Sequence, residues 1–167
     1  MSVEQQAELA GTFVRGLVER FGIEATTEVA IGEDQVSVEV SGADLGLLVG
    51  PRGATLDAVQ ELTRTVVQRR GEEFGTRITV DVGGFRARRA AALEAFAGRV
   101  VAEVLESGVA EALEPMSAAD RKIVHDAVNG VDGVETTSEG TEPRRYVVIR
   151  PMSGERTAPP VADTTPQ

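Results

Sequence analysis

Gly50-Pro51-Arg52-Gly53 is the feature that most restricts how this chain can fold. A short apolar run, Leu45 to Val49, precedes it, and a helical apolar pattern begins at Ala54. Two glycines around two other residues allow a sharp reversal, because glycine has no Cβ to block positive φ or a near approach. Pro51 suits a helix start, where its missing N–H would have no intrahelical partner. A helix N-terminus just after the corner presents unpaired N–H groups and the positive end of the dipole, both of which attract phosphate oxygens. Arg52 adds a planar fork of charged donors. A Gly-x-x-Gly tetrad alone is equally satisfied by an ordinary corner between two helices, so the elements around it have to decide.

Residues 3–21 place Ala10, Phe13, Val14, Leu17, Val18 and Phe21 at helical spacing, and Gly22 is suited to stop that helix. Thr26–Ile31 reads as a strand. Val36, Val38 and Val40 alternate with Gln35, Ser37 and Glu39 in a second, with Gly32-Glu33-Asp34 as the hairpin loop. Ala43–Val49 is a short helix before the tetrad. Ala54–Arg70 is a full helix, with Leu56, Val59, Thr63, Val66 and Val67 inward and Gly71 at its end. Thr76–Val82 is a strand with Ile78, Val80 and Val82 on one side.

Gly83-Gly84 opens a second unit. Phe85–Glu106 is a long helix with an apolar stripe of Leu93, Phe96, Val100 and Val104. Arg86, Arg88 and Arg89 stand in its first turns, where cations oppose the dipole. Val109–Leu113 reads as a strand. Ser117-x-x-Asp120 has the spacing of a capping box and starts a helix to about Asn129, with Ile123, Val124, Ala127 and Val128 inward. Arg121 and His125, at i and i+4, share one margin of that helix. Val134–Ser138 and Arg144–Arg150 read as two strands. Residues 151–167, rich in Pro and Thr, read as a disordered tail.

Composition narrows the function. There is no cysteine, which excludes disulfides, thiolate metal sites and cysteine nucleophiles. No apolar run approaches the roughly 20 residues of a membrane span. Met1-Ser2-Val3-Glu4-Gln5-Gln6 has no signal-peptide pattern, so a soluble cytoplasmic protein without membrane insertion is expected. The net charge of −10 argues against polyanion binding by the surface as a whole. It is unevenly spread: residues 1–49 and 101–140 are each −7, whereas residues 50–100 are +3, beginning at the tetrad.

The order helix, strand, strand, short helix, Gly-x-x-Gly, helix, strand resembles the type II KH domain (αββααβ), in which that tetrad clamps a nucleic-acid backbone. Some KH domains of NusA-like transcription factors carry the same Gly-Pro-Arg-Gly sequence. Arg121-Lys122-Ile123-Val124-His125 resembles the signature of the Arg-x-x-x-His (R-3-H) domain, a small α/β unit associated with single-stranded nucleic acid. The succession of the two resembles the Jag family, the SpoIIIJ-associated proteins of bacteria. The match is strongest in Gly50–Gln60 and Pro115–Ile149, the latter including Thr136-Thr137-Ser138-Glu139-Gly140 and Pro143-Arg144-Arg145. Many members carry a further N-terminal Jag domain, which no part of this sequence resembles. The expected fold is α+β in two small domains: a KH type II unit at 1–83 and an Arg-x-x-x-His unit at 84–150, before the tail.

The resemblance implies a cytoplasmic RNA-binding regulator, linked in some bacteria to cell elongation and division. It also implies pairing with a small single-KH protein through the KH unit, and more generally a homo- or heterodimer. The candidate RNA-binding residues are Gly50, Pro51, Arg52, Gly53, Arg121, His125, Arg144 and Arg145, with single-stranded RNA as the partner and no cofactor. Leu47, Leu48, Val49 and Val36, Val38 or Val40 offer an apolar groove for bases, or are simply core. An isolated histidine at the edge of an apolar arc is also the ordinary structural histidine, and Arg121 has Glu142 as a local carboxylate. A protein-interaction adaptor that pairs through the KH surface is the competing reading, and the acidic charge favours it. An enzyme has least support. The tetrad is not a nucleotide-binding P-loop, the single histidine lies in the other unit, and no cluster has metal-ligand spacing.

Overall fold

The computed structural model describes residues 1–69 and 76–152. The expected helix end at Gly71 and the expected tail beyond Met152 lie outside them. The chain divides into two compact units between Arg88 and Arg89, and helices and strands are mixed in both.

The first unit runs α1 (Val3–Arg20), β1 (Ala25–Ile31), β2 (Gln35–Gly42), α2 (Gly46–Val49), a 3-10 turn (Pro51–Gly53), α3 (Ala54–Gln68) and β3 (Arg77–Val82). Its sheet has the order β1-β2-β3, with β2 antiparallel to β1 and parallel to β3. A parallel pair needs a crossover, and α2, the turn and α3 supply it. Val36, Val38 and Val40 stand directly opposite Ile78, Val80 and Val82. Both sets are buried, against Ala10, Val14 and Val18 of α1 and Leu56, Val59 and Val67 of α3. The three valines are therefore core, and the alternative that they line a groove for bases is corrected: the face that alternation exposes to bases is the face α1 and α3 cover. Leu48 is buried as well, whereas Leu47 is 59% exposed.

The inward face of α1 lies one position away from its largest side chains. Gln6, Ala7 and Gly11 are buried, and Phe21 is 44% exposed. Ser2 and Gln5 close the start of α1 with a reciprocal capping box.

The outer edge of β3 is closed by a side chain. Gln60 of α3 donates from Nε2 to Ile78 O at 2.6 Å and accepts from Val80 N–H at 2.7 Å, as a neighbouring strand would. Arg86 Nε adds a bond to Val80 O at 3.3 Å. Replacing Gln60 with Leu keeps the volume but leaves a half-buried donor and acceptor unpaired. We expect a loss of about 1–3 kcal/mol in denaturant unfolding. Stability equal to the parent would show that water substitutes for the amide.

A long helix, α4 (Phe85–Ser107), begins in the first unit and from Arg89 on belongs to the second, which also contains β4 (Glu111–Ala112), α5 (Ala118–Val128), β5 (Val134–Glu139) and β6 (Tyr146–Pro151). The sheet order is β4-β6-β5, antiparallel throughout. Leu93, Ala97, Val100, Val101 and Val104 of α4 pack with Val124 and Val128 of α5 and with Val134, Val147 and Ile149. Phe96 stays partly exposed with Arg99 over its ring, and Ala97 and Val101 take the inward positions. The strand expected over Val109–Leu113 pairs only at Glu111 and Ala112. The last strand starts at Tyr146, two residues later than its basic opening suggested. It includes Pro151, opposite Val134. Among the described residues, no helix is long and apolar enough to cross a membrane.

Candidate nucleic-acid interface

The tetrad forms a tight corner between α2 and α3. Gly50 has φ 68°, Arg52 φ 54° and Gly53 φ 85°, so three of its four residues are left-handed. Glycine is required at both ends, for reasons inside the protein. A Cβ on Gly50 would lie 2.1 Å from Thr55 Oγ1, and one on Gly53 would lie 2.6 Å from Phe85 Cε1. The glycines let the first turn of α3 and the Phe85 ring fill the underside of the corner, while Pro51 and Arg52 stay exposed on top.

Several main-chain donors of the corner are engaged internally. Gly50 N–H donates to Gly46 O, Gly53 N–H to Gly50 O and Ala54 N–H to Pro51 O. Pro51 has no N–H. What the corner exposes is Pro51, Arg52 and, at the start of α3, Ala54; Gly53, the N-cap of α3, is buried and has no side chain to cap it. Leu47, one turn earlier, is the exposed apolar neighbour.

In the second unit Arg121 and His125 both face the sheet side of α5. Arg121 is buried. Its Nη1 donates to Met116 O at 2.7 Å and its Nη2 pairs with Glu142 Oε1 at 2.6 Å. His125 Nδ1 lies 2.7 Å from Thr136 Oγ1, and its Nε2 lies 2.7 Å from Ser138 Oγ. Thr136 and Ser138 are two apart on β5 and so share a face. A hydroxyl both donates and accepts, so this bracket holds the ring in either tautomer. Arg144 and Arg145 are exposed in the turn before β6. Gly50, Pro51, Arg52 and Gly53 thus form one cluster, and Arg121, His125, Arg144 and Arg145 belong to the other unit.

The arginines at the start of α4 have local partners. Arg86 pairs with Asp57 at 3.2 Å, Arg88 donates to Gly83 O, and Arg89 pairs with Asp120 at 2.9 Å. Asp120 therefore does not complete the expected capping box. Ser117 Oγ accepts from Asp120 N–H, while the Asp120 carboxylate is turned to Arg89. Lys122 pairs with Asp126 one turn on.

The residues that sequence reasoning left out of the site are Thr136, Ser138 and Phe85. The first two carry a legible signal, hydroxyls at period two on a strand facing a histidine helix. Phe85 carries none, because its packing against Gly53 is a long-range contact. Among the described residues, no group of three or more His, Asp or Glu could hold a metal ion.

A Gly-x-x-Gly corner between two helices on a three-stranded sheet, followed by a helix presenting Arg-x-x-x-His to a second sheet, defines a tandem of KH and R-3-H modules. Residues 7–80 match the KhpA/KhpB KH domain family, and residues 91–151 match the R-3-H domain family. The chain is 30% identical over 147 residues to the RNA-binding protein KhpB of Bacillus subtilis (strain 168), covering 87% of this chain and 69% of that protein. It is 34% identical over 127 residues to the RNA-binding protein KhpB of Clostridium symbiosum, with coverage of 76% and 57%. It is 30% identical over 147 residues to the RNA-binding protein KhpB of Streptococcus pneumoniae serotype 2 (strain D39 / NCTC 7466), with coverage of 88% and 44%. The chain belongs to the KhpB (Jag) family, and it spans less than half of the pneumococcal relative's length.

Proposed function

We propose that this chain is a single-stranded RNA-binding regulatory protein that acts without catalysis. The observation that carries the reading is the corner at Gly50–Gly53. It is exposed at Pro51 and Arg52, underpinned by Phe85 and Thr55, and set at an uncapped helix N-terminus. In this reading Arg52 and the start of α3 take phosphate oxygens, and Leu47 supports a base. Arg121, His125, Arg144 and Arg145 supply a second contact in the R-3-H unit. With one Tyr and no Trp, aromatic stacking contributes little, and affinity comes from the two modules acting together. The names of the curated relatives, RNA-binding protein KhpB, support the ligand class. We further propose a cytoplasmic post-transcriptional role linked to cell elongation and division, and pairing of the KH unit with a small single-KH protein.

The test is a titration of the chain with short unstructured RNA and with duplex RNA at two salt concentrations. Single strands are expected to bind more tightly, with a log–log salt slope of about −0.7 per phosphate contact. Binding that favours duplex, or that ignores salt, sinks the reading. The net charge of −10 favours the adaptor reading instead; there, a KH-domain partner binds equally well at high salt and RNA does not bind.

A further inference from the structure

The Arg121 side chain is 9% exposed, whereas the Glu142 side chain paired with it is 59% exposed. The carboxylate thus lies on the solvent side of the guanidinium. A carboxylate and a phosphate offer a guanidinium the same arrangement of two oxygens. Glu142 stands in an exposed turn, two and three residues before the exposed Arg144 and Arg145. The bond from Arg121 Nη1 to Met116 O is a separate anchor on the other side of the guanidinium's fork and does not involve the carboxylate.

We propose that Glu142 holds the phosphate position of Arg121 in the free protein and is displaced by the nucleic-acid strand, so that Glu142 sets which anions this site accepts. A lone phosphate or a mononucleotide has to break the ion pair for one contact in return. A strand reaches Arg144 and Arg145 as well, and those contacts offset the broken pair. The cost is the same for both, so Glu142 acts as a threshold that a strand, with its further contacts, clears and a lone phosphate does not. This deepens the RNA-binding reading and rests on it.

Glu142→Gln keeps the size and an acceptor oxygen while removing the charge. Its affinity for a short unstructured RNA is expected to rise about fivefold over the parent. Its affinity for uridine monophosphate should rise by a similar factor, because both ligands displace the same carboxylate. RNA affinity that stays equal or falls overturns the proposal. Should the variant not fold, the Arg121 side-chain nitrogen signals of the parent give the answer during an RNA titration. They shift if Glu142 leaves, and signals unmoved at saturation overturn the proposal. RNA that fails to bind the parent defeats the RNA reading itself. RNA that binds the parent and the Gln variant alike defeats only the role of Glu142.

Discussion

Pro51→Asp combined with Arg52→Asp is expected to weaken binding of a short single-stranded RNA by tenfold or more. The pair removes the cation at the exposed top of the corner. It also places two carboxylates where the proposed strand sets its phosphates, and like charges at that range repel. The salt slope should flatten by about 0.7 for each phosphate the variant no longer holds. Folding is expected to survive. Both positions are exposed, Asp tolerates the left-handed conformation of Arg52, and carboxylates at a helix start are favourable. Matching thermal midpoints with unequal RNA affinities support the clamp. Equal affinities eliminate it, and would move attention to the R-3-H unit or to the adaptor reading.

The second large effect is on stability. Gly53→Ala asks an L-residue to hold φ 85° and places its Cβ 2.6 Å from Phe85 Cε1. The left-handed backbone costs about 1–2 kcal/mol, and a forced contact in a packed region adds about 1–3 kcal/mol. We expect a loss near 3 kcal/mol, seen as a fall of more than about 10 °C in the midpoint of the first unit. The ring contact can be separated from the backbone. Adding Phe85→Leu should make the double variant less destabilised than the two single losses combined. Strict additivity would show that the ring is not what fixes Gly53.

These two variants separate what the sequence makes legible from what it does not. The element order and the place of the tetrad are readable, because apolar spacing and turn residues are local properties. Val36, Val38 and Val40 are recognisable as one face of a strand. That this face is core depends on α1 and α3 covering it, which no local pattern states. Helix faces are misjudged where size competes with position. Phe21 and Phe96 attract attention as large apolar residues, yet Gly11, Ala97 and Val101 occupy the inward arc. Arg144 and Arg145 read as a strand opening because the apolar run behind them extends the pattern, whereas pairing begins at Tyr146. The glycines of the corner are predicted from backbone freedom, which their positive φ requires, but the second demand on them, Thr55 and Phe85 underneath, is not legible. Around His125 the sequence offers a histidine and two hydroxyls without saying that they meet.

The filled underside of the corner has a bearing on how any complex would form. A loop already held in its shape by side chains beneath it loses little freedom when a ligand arrives, so the entropic cost of ordering falls on the nucleotides. Encounter then needs no rearrangement of the corner, and differences in affinity between RNA sequences at that contact should show up as differences in dwell time rather than in arrival rate.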